Sequence, residues 1–381
     1  MPTTRIKNTL YCALLPLCAP SCGTRPVSMI QGHDLIFKRS FERLIRRHHV
    51  LGSVTLLESN GKSTLICTSS RNPEHSANPE IFFRVASVTK LATSVLVLHL
   101  ADQGIFSIDD DISVFFPSRS GLEGITFRHL LSHTSGITDL PGLESSLERG
   151  VSFTDLLPSA RQFKPGKTFH YSNFGFGLIG CVLEAVFDQP VGSVFRQYLF
   201  DPLHMRATLE GCLLPKEQIM PVTRILPYRK GNDLILTRLG SVPITQPDPF
   251  RHFGHTAGSM YTDAASLQTL LHVLRCEDHG FLSADARNLM IREHASYGPI
   301  SPSLSYGLGI LRINDSSISD GYVYGHQGFA YGCADGAFWE ENTGRIMITL
   351  NGGFSEARTG RLGLANRDFL RWAFRKEIPA W

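Results

Sequence analysis

Three short stretches carry residue types that can perform acyl chemistry. Ser87 and Lys90 lie three positions apart in Phe83-Arg84-Val85-Ala86-Ser87-Val88-Thr89-Lys90. On a helix that spacing puts both side chains on one face, with Cβ atoms roughly 5–6 Å apart. A lysine so placed can hydrogen-bond the serine hydroxyl, and burial that lowers its pKa lets it take the serine's proton. The pair then makes an activated nucleophile. A helix N-terminus beside it favours the anion that acyl transfer creates. The second stretch, Tyr171-Ser172-Asn173, is the only Tyr-x-Asn in the chain. The third, Tyr324-Gly325-His326-Gln327-Gly328, sets a histidine among glycines that let backbone approach a ligand.

The elements around them decide whether the spacing matters. Ser59-Asn60-Gly61-Lys62 repeats the Ser-x-x-Lys spacing, but Asn-Gly marks a hairpin turn. Ser87 instead precedes Leu91 to Ala101, apolar nearly all round, which predicts a buried helix stopped at Gly104. Before it, 35–49 reads as an amphipathic helix, and 52–57 and 63–68 as strands joined by the Asn60-Gly61 turn. After it, Asp109 to Asp111 read as a turn with a helix cap. Thr126 caps a short helix ended by Gly136. His129 and His133 share one face of that helix and read as hydrogen-bonded structural residues, since neither HExxH nor a third ligand accompanies them. His252 and His255 form a weak HxxH. The stretch 153–214 is mostly helical, and Tyr171-Ser172-Asn173 opens a second apolar helix. Gly175, Gly177 and Gly180 allow close packing in that helix. A polar loop with short strand-like runs fills 221–250, and another helix runs from about 262 to 275. Strands follow at 306–313, 321–324, 332–339 and 345–350, then a last helix at 355–374.

This order predicts an α+β (or α/β) fold: an antiparallel sheet flanked by helices, with an inserted, mainly helical subdomain. Residues 1–30 read as a leader and 31–381 as one domain. Its sheet part is 31–105 and 300–381, and its helical insertion 106–299. In the leader, Arg5 and Lys7 precede a short apolar run broken by prolines. It reads as a secretory or lipoprotein-like signal or as a disordered extension, so exported (secreted, periplasmic or lipid-anchored) and cytoplasmic locations both stay open. With 42% hydrophobic residues and a net charge of +3, the chain has ordinary globular composition and no basic run suited to nucleic acid. No segment is long enough to span a bilayer. Eight cysteines without a CxxC pair support neither a disulfide framework nor zinc. No cofactor and no metal are implied, and a monomer is expected.

Taken together, the three stretches resemble the penicillin-recognising serine hydrolases. The likeness is to class C β-lactamases with their relatives: D-alanyl-D-alanine carboxypeptidases, D-aminopeptidases and β-lactamase-like (family VIII) esterases. It covers about residues 35 to 375. The gaps of 84 residues from Ser87 to Tyr171 and 155 from Tyr171 to His326 are similar to that group's. So is the text Arg128-His129-Leu130-Leu131-Ser132-His133-Thr134-Ser135-Gly136, and Lys164-Pro165-Gly166. No GxSxG is present, so an α/β-hydrolase nucleophile elbow is not indicated.

The resemblance implies roles. Ser87 attacks the acyl carbon, and Lys90 and Tyr171 share general-base and general-acid work. Asn173 holds the substrate amide or the Lys90 ammonium. The backbone N–H groups of Ser87 and Phe329 form an oxyanion hole. His326 and Gly328 contact substrate. Class C β-lactamases carry Lys-Thr-Gly where this chain has His326-Gln327-Gly328. A histidine there makes any cation for a substrate carboxylate pH-dependent, so activity on anionic substrates is expected to fall through about pH 6–7. The expected function is hydrolysis of an ester or amide of a small-molecule or peptide acyl substrate through an acyl-enzyme. Esterase or D-amino-acid peptidase activity ranks above weak β-lactamase activity. A non-catalytic penicillin-recognition sensor and an acyl transferase are the alternatives.

Overall fold

The computed structural model describes residues 24–26, 35–70, 76–116, 120–148, 150–221, 243–275, 280–330, 332–353 and 361–375. Most of the leader, the strand-like runs expected between 222 and 242, Cys276 and the start of the expected last helix (355–360) lie outside them.

Twelve strands are described. β1 (Thr24–Pro26), β2 (Gly52–Ser59) and β3 (Lys62–Ser70) come from the N-terminal part. β4 (Phe83–Arg84), β5 (Ala207–Thr208) and β6 (Tyr261–Thr262) form a small separate sheet in the order β4-β6-β5. β7 (Ala295–Ser296), β8 (Leu304–Tyr306), β9 (Leu311–Ile313), β10 (Val323–Ala330), β11 (Cys333–Glu340) and β12 (Ile346–Gly352) complete the main sheet. Its order is β1-β3-β2-β12-β11-β10-β9-β8-β7, antiparallel throughout. The two ends of the chain therefore meet where β2 pairs with β12, Thr55 opposite Thr349. β1 lies inside the segment read as a leader, and pairs Thr24 with Ser70.

Alternation along each strand sorts the core into two layers. In β12, Ile346, Ile348 and Leu350 face the helical side, while Met347 faces the other. The second layer is covered by α1 (Leu35–Arg47), through Phe41 and Ile45, and by the C-terminal helix Leu364–Phe374, through Phe369 and Trp372. The first layer receives α2 (Thr89–Asp102), which is apolar all round and buried along nearly its whole length. Smaller helices follow: α3 (Phe127–Leu131), α4 (Leu143–Glu148) and α5 (Phe153–Ala160). α6 (Asn173–Phe187) then packs against α2's side of the core. Gly177 of α6 lets the chain at Phe253 approach so closely that a Cβ would lie 2.6 Å from its carbonyl oxygen. Among the described residues no single helix is long and apolar enough to cross a membrane.

Two local expectations are corrected. The helix capped by Thr126 ends at Leu131, not at Gly136. Thr126 and His129 close a reciprocal capping box, which suffices for one short turn. Gly136 serves a later turn with φ +79°, where a Cβ would strike the Phe163 carbonyl. The run 306–313 is also two strands rather than one, because Gly309 at φ +67° turns the chain between β8 and β9.

Candidate active site

Ser87 sits in a 3-10 turn, Ala86–Val88, that feeds directly into α2. The residue before it, Ala86, has φ +45°, a left-handed conformation costing of order 1–3 kcal/mol for a residue with a Cβ. The surroundings hold it there. The Thr89 hydroxyl donates to the Ala86 carbonyl at 2.6 Å and accepts from the Met260 N–H at 3.1 Å. The Val85 N–H donates to the Met260 carbonyl at 3.0 Å. The turn thus presents a half-exposed Ser87 at the head of a buried helix.

Lys90, one turn on, is wholly buried. Its ammonium nitrogen donates to Ser87 Oγ at 3.1 Å, to Asn173 Oδ1 at 2.9 Å and to the Ala257 carbonyl at 2.7 Å. It lies 5.0 Å from the Tyr171 ring centroid and 5.3 Å from that of Phe176. Burial lowers its pKa to about 7, against a smaller opposing pull from Asp139. A buried lysine resists its charge because water no longer solvates the ammonium.

Tyr171 and Asn173 arrive together because Ser172 caps α6: its Oγ accepts from the Gly175 N–H at 2.9 Å. Burial pushes the Tyr171 phenol above its ordinary range, while its hydrogen bond with Ser87 pulls the other way. At neutral pH the phenol therefore keeps its proton, which suits it to pass a proton on better than to remove one first. His133 supports this corner. Its Nδ1 accepts from the Ser172 N–H at 3.2 Å, and its ring lies 4.3 Å from that of Tyr171. Burial and the Lys90 charge hold His133 well below its usual range. Its helical neighbour in sequence, His129, accepts from the Thr126 N–H instead. Each histidine has a separate hydrogen-bonding task. His252 likewise bonds the Glu184 carboxylate, at 2.8 Å.

His326 lies on β10, its ring buried. Its Nε2 accepts from the Tyr306 hydroxyl at 2.8 Å, and its Nδ1 donates to the Gln327 carbonyl at 2.6 Å. The Gln327 carbonyl can only accept, so the ring proton sits on Nδ1 and the Tyr306 hydroxyl is the donor to Nε2; burial keeps that phenol protonated. Burial, with the Lys90 charge second, lowers the His326 pKa to about 3. The expectation that this ring gains a proton near pH 6–7 is therefore corrected: desolvation keeps it neutral, and both ring nitrogens are already engaged. The Gln327 amide is tied down as well, donating to the Arg361 carbonyl and accepting from the Gly363 N–H.

Next on the strand, Gly328 lets β10 press against the nucleophile turn. A Cβ at this position would lie 2.2 Å from the Val85 carbonyl oxygen and 3.2 Å from Ala86 Cβ. Gly328→Ala must push β10 and Phe329 away from Ser87. The expected result is a loss of about 1–3 kcal/mol of stability, read as a lower melting temperature, and a drop of at least about tenfold in kcat for an ester substrate.

The structure thus brings Ser87, Lys90, Tyr171 and Asn173 into one hydrogen-bonded cluster, with His326 behind it and Gly328 and Phe329 beside the nucleophile turn. It adds Asp139, Tyr306 and the Ala257 carbonyl, which sequence reasoning did not single out. The Ala257 carbonyl belongs to the short helix His255–Gly258, and no side-chain pattern advertises a backbone acceptor.

The Beta-lactamase family profile matches residues 37–363, and the chain belongs to that family. Protein flp of Staphylococcus aureus (strain MRSA252) is 28% identical over 180 residues, covering 44% of this chain and 36% of that protein. The chain spans between about a third and a half of the length of the staphylococcal relatives it matches. Esterase EstB of Burkholderia gladioli is 24% identical over 379 residues, covering 86% of this chain and 92% of that one. Among solved structures, a D-amino acid amidase from Ochrobactrum anthropi SV3 superposes with a TM-score of 0.69 at 19% identity, covering 88% of this chain and 97% of that one. That likeness is one of fold: an antiparallel sheet with helices, shared with structures of a penicillin-binding protein homologue, the amidase and a hydrolase, EstCE1.

Proposed function

We propose that the protein is a serine hydrolase that cleaves a small ester or amide through an acyl-enzyme on Ser87. The observation that carries this reading is the Lys90 amine, buried and 3.1 Å from Ser87 Oγ. A neutral amine has two N–H bonds and one lone pair. Asn173 Oδ1 and the Ala257 carbonyl can only accept, so they take the two N–H bonds. The lone pair is left for the Ser87 hydroxyl. As Ser87 Oγ bonds to the acyl carbon, its proton passes to Lys90. Tyr171, hydrogen-bonded to Ser87, hands a proton to the leaving alcohol or amine and recovers one from Lys90. Water then attacks the acyl-enzyme, with the same groups working in reverse. The backbone N–H groups of Ser87 and Phe329 are the proposed oxyanion donors.

His326 has a different proposed role from the one its residue type suggests. Neutral, and hydrogen-bonded to Tyr306, it forms an uncharged wall behind Tyr171 and gives a substrate carboxylate no fixed charge. This favours esters and amides without a free carboxylate over β-lactams. A panel of p-nitrophenyl esters, D-amino-acid amides, D-alanyl peptides and nitrocefin tests the ranking. The highest kcat/KM is expected on uncharged esters or amides, and preference for nitrocefin would overturn it.

The pH dependence follows from the same groups. The base must be unprotonated, so kcat/KM for a neutral ester should rise about tenfold per pH unit below about 7 and level off above it. His326 should add no further step through pH 6–7. A profile that falls over that range would contradict the assignment of Lys90 as base.

A further inference from the structure

We infer that Asp139 is a positioning residue: it fixes the Asn173 amide with its oxygen toward Lys90 and so reserves the lysine's lone pair for Ser87. The inference rests on Lys90 acting as the base.

Asp139 is held independently of the amide it faces. The Thr138 N–H donates to the Ala160 carbonyl at 2.9 Å, and Ile137 bridges to Arg161, which anchors the segment on the end of α5. Asp139 Oδ1 accepts from Ser172 Oγ at 2.9 Å and from the Phe174 N–H at 2.8 Å, so the carboxylate is pinned to the first turn of α6. Its other oxygen, Oδ2, accepts from Asn173 Nδ2 at 3.2 Å.

A carboxylate only accepts, so only the NH2 end of Asn173 can face it. The oxygen end then has to face Lys90. In the flipped amide two oxygens would oppose each other on the Asp139 side. On the other side an N–H would point at the amine. That N–H would bind the lone pair of neutral Lys90 and compete with the Ser87 hydroxyl. Without Asp139 nothing in this contact forbids the flip.

Asp139 also acts on Lys90 by charge. The groups facing the amine are the Ser87 hydroxyl, the Tyr171 phenol on the chain leading into α6, His133 after α3, His326 on β10, and Asp139. Both histidines are held neutral by burial, and the phenol keeps its proton. Asp139 is the anion that favours protonated Lys90. Removing its charge should move the acidic limb of the pH profile down.

The test is Asp139→Asn, alone and combined with Asn173→Ala, assayed with a neutral p-nitrophenyl ester. Asparagine can still cap α6, but it is uncharged and can donate to a flipped Asn173. At plateau pH, kcat should fall about 10- to 100-fold, with KM changed less than about twofold. The acidic limb should move lower by about half a unit or more. In the Asn173→Ala background there is no amide to flip, so Asp139→Asn should lower kcat by no more than about twofold further. A merely structural cap would lower the melting temperature, leave the limb in place and lower kcat equally in both backgrounds; that result overturns the inference. Absence of any Ser87 acylation in the unmodified protein would overturn the underlying reading, and the inference with it. Acylation at Ser87 with an unmoved limb in Asp139→Asn overturns the inference alone.

Discussion

Ser87→Ala should lower kcat/KM for a p-nitrophenyl ester by about 10⁴-fold or more, with no change in fold. Alanine keeps the Cβ that the turn already accommodates, and Ser87 is half-exposed, so the melting temperature should stay within a few degrees. What disappears is the oxygen that lies 3.1 Å from Lys90 Nζ and is hydrogen-bonded to Tyr171. Ser59→Ala is the matched control. Ser59 has the same three-residue spacing to Lys62, but it lies in the β2–β3 hairpin, where Asn60 and Gly61 have φ of +51° and +72°. That variant should keep full activity. Equal losses in the two variants, or turnover surviving in Ser87→Ala, would contradict the assignment.

Lys90→Met should separate activity from stability. Methionine fills a similar volume, but its thioether is far too weak a base to take the serine's proton, so kcat should fall about 10³- to 10⁴-fold. The stability change depends on pH, and its sign follows from the lowered pKa. Lys90 titrates near 7 in the folded protein, against about 10.4 in an unfolded chain. Below pH 7 both forms hold the proton, and the folded protein bears the full penalty of a buried charge. Between about 7 and 10 the unfolded chain holds a proton that the folded protein lacks, so folded stability rises with pH. Removing the lysine removes that penalty, while leaving the Ala257 carbonyl without its donor costs about 1–3 kcal/mol. The difference in melting temperature, variant minus parent, should therefore be more favourable at pH 6 than at pH 9. The opposite trend would mean that Lys90 is not a group with a lowered pKa. Functional sites commonly hold such unfavourable groups.

Much of this arrangement was legible in the sequence because it depends on local signals. The apolar stretch after Lys90, the Asn60-Gly61 turn and the Ser172 cap each follow from short-range chemistry. The alternation of Ile346, Met347 and Ile348 fixes which face of the sheet meets which helices. The ordering of Ser87, Tyr171 and His326 pointed to one cluster, and the fold brings these residues together through α2, α6 and β10. What remained hidden depends on tertiary context. An exposed aspartate after a turn gives no hint that it caps a helix starting 34 positions later. Tyr306 looked like an ordinary strand aromatic, yet its hydroxyl engages the His326 ring, which burial and the Lys90 charge keep neutral. A histidine's pKa belongs to its surroundings, and residue type alone suggested a titration that burial abolishes.

The central claim is a covalent intermediate on Ser87, and trapping it tests that claim most directly. The protein is mixed with a slowly deacylating p-nitrophenyl ester, quenched in acid during turnover, and examined by intact and peptide mass spectrometry. The expected result is a mass increase of one acyl group, confined to the peptide containing Ser87 and absent from Ser87→Ala. An acyl group on another residue, or sustained turnover with no acylated protein and no loss in Ser87→Ala, would contradict the account.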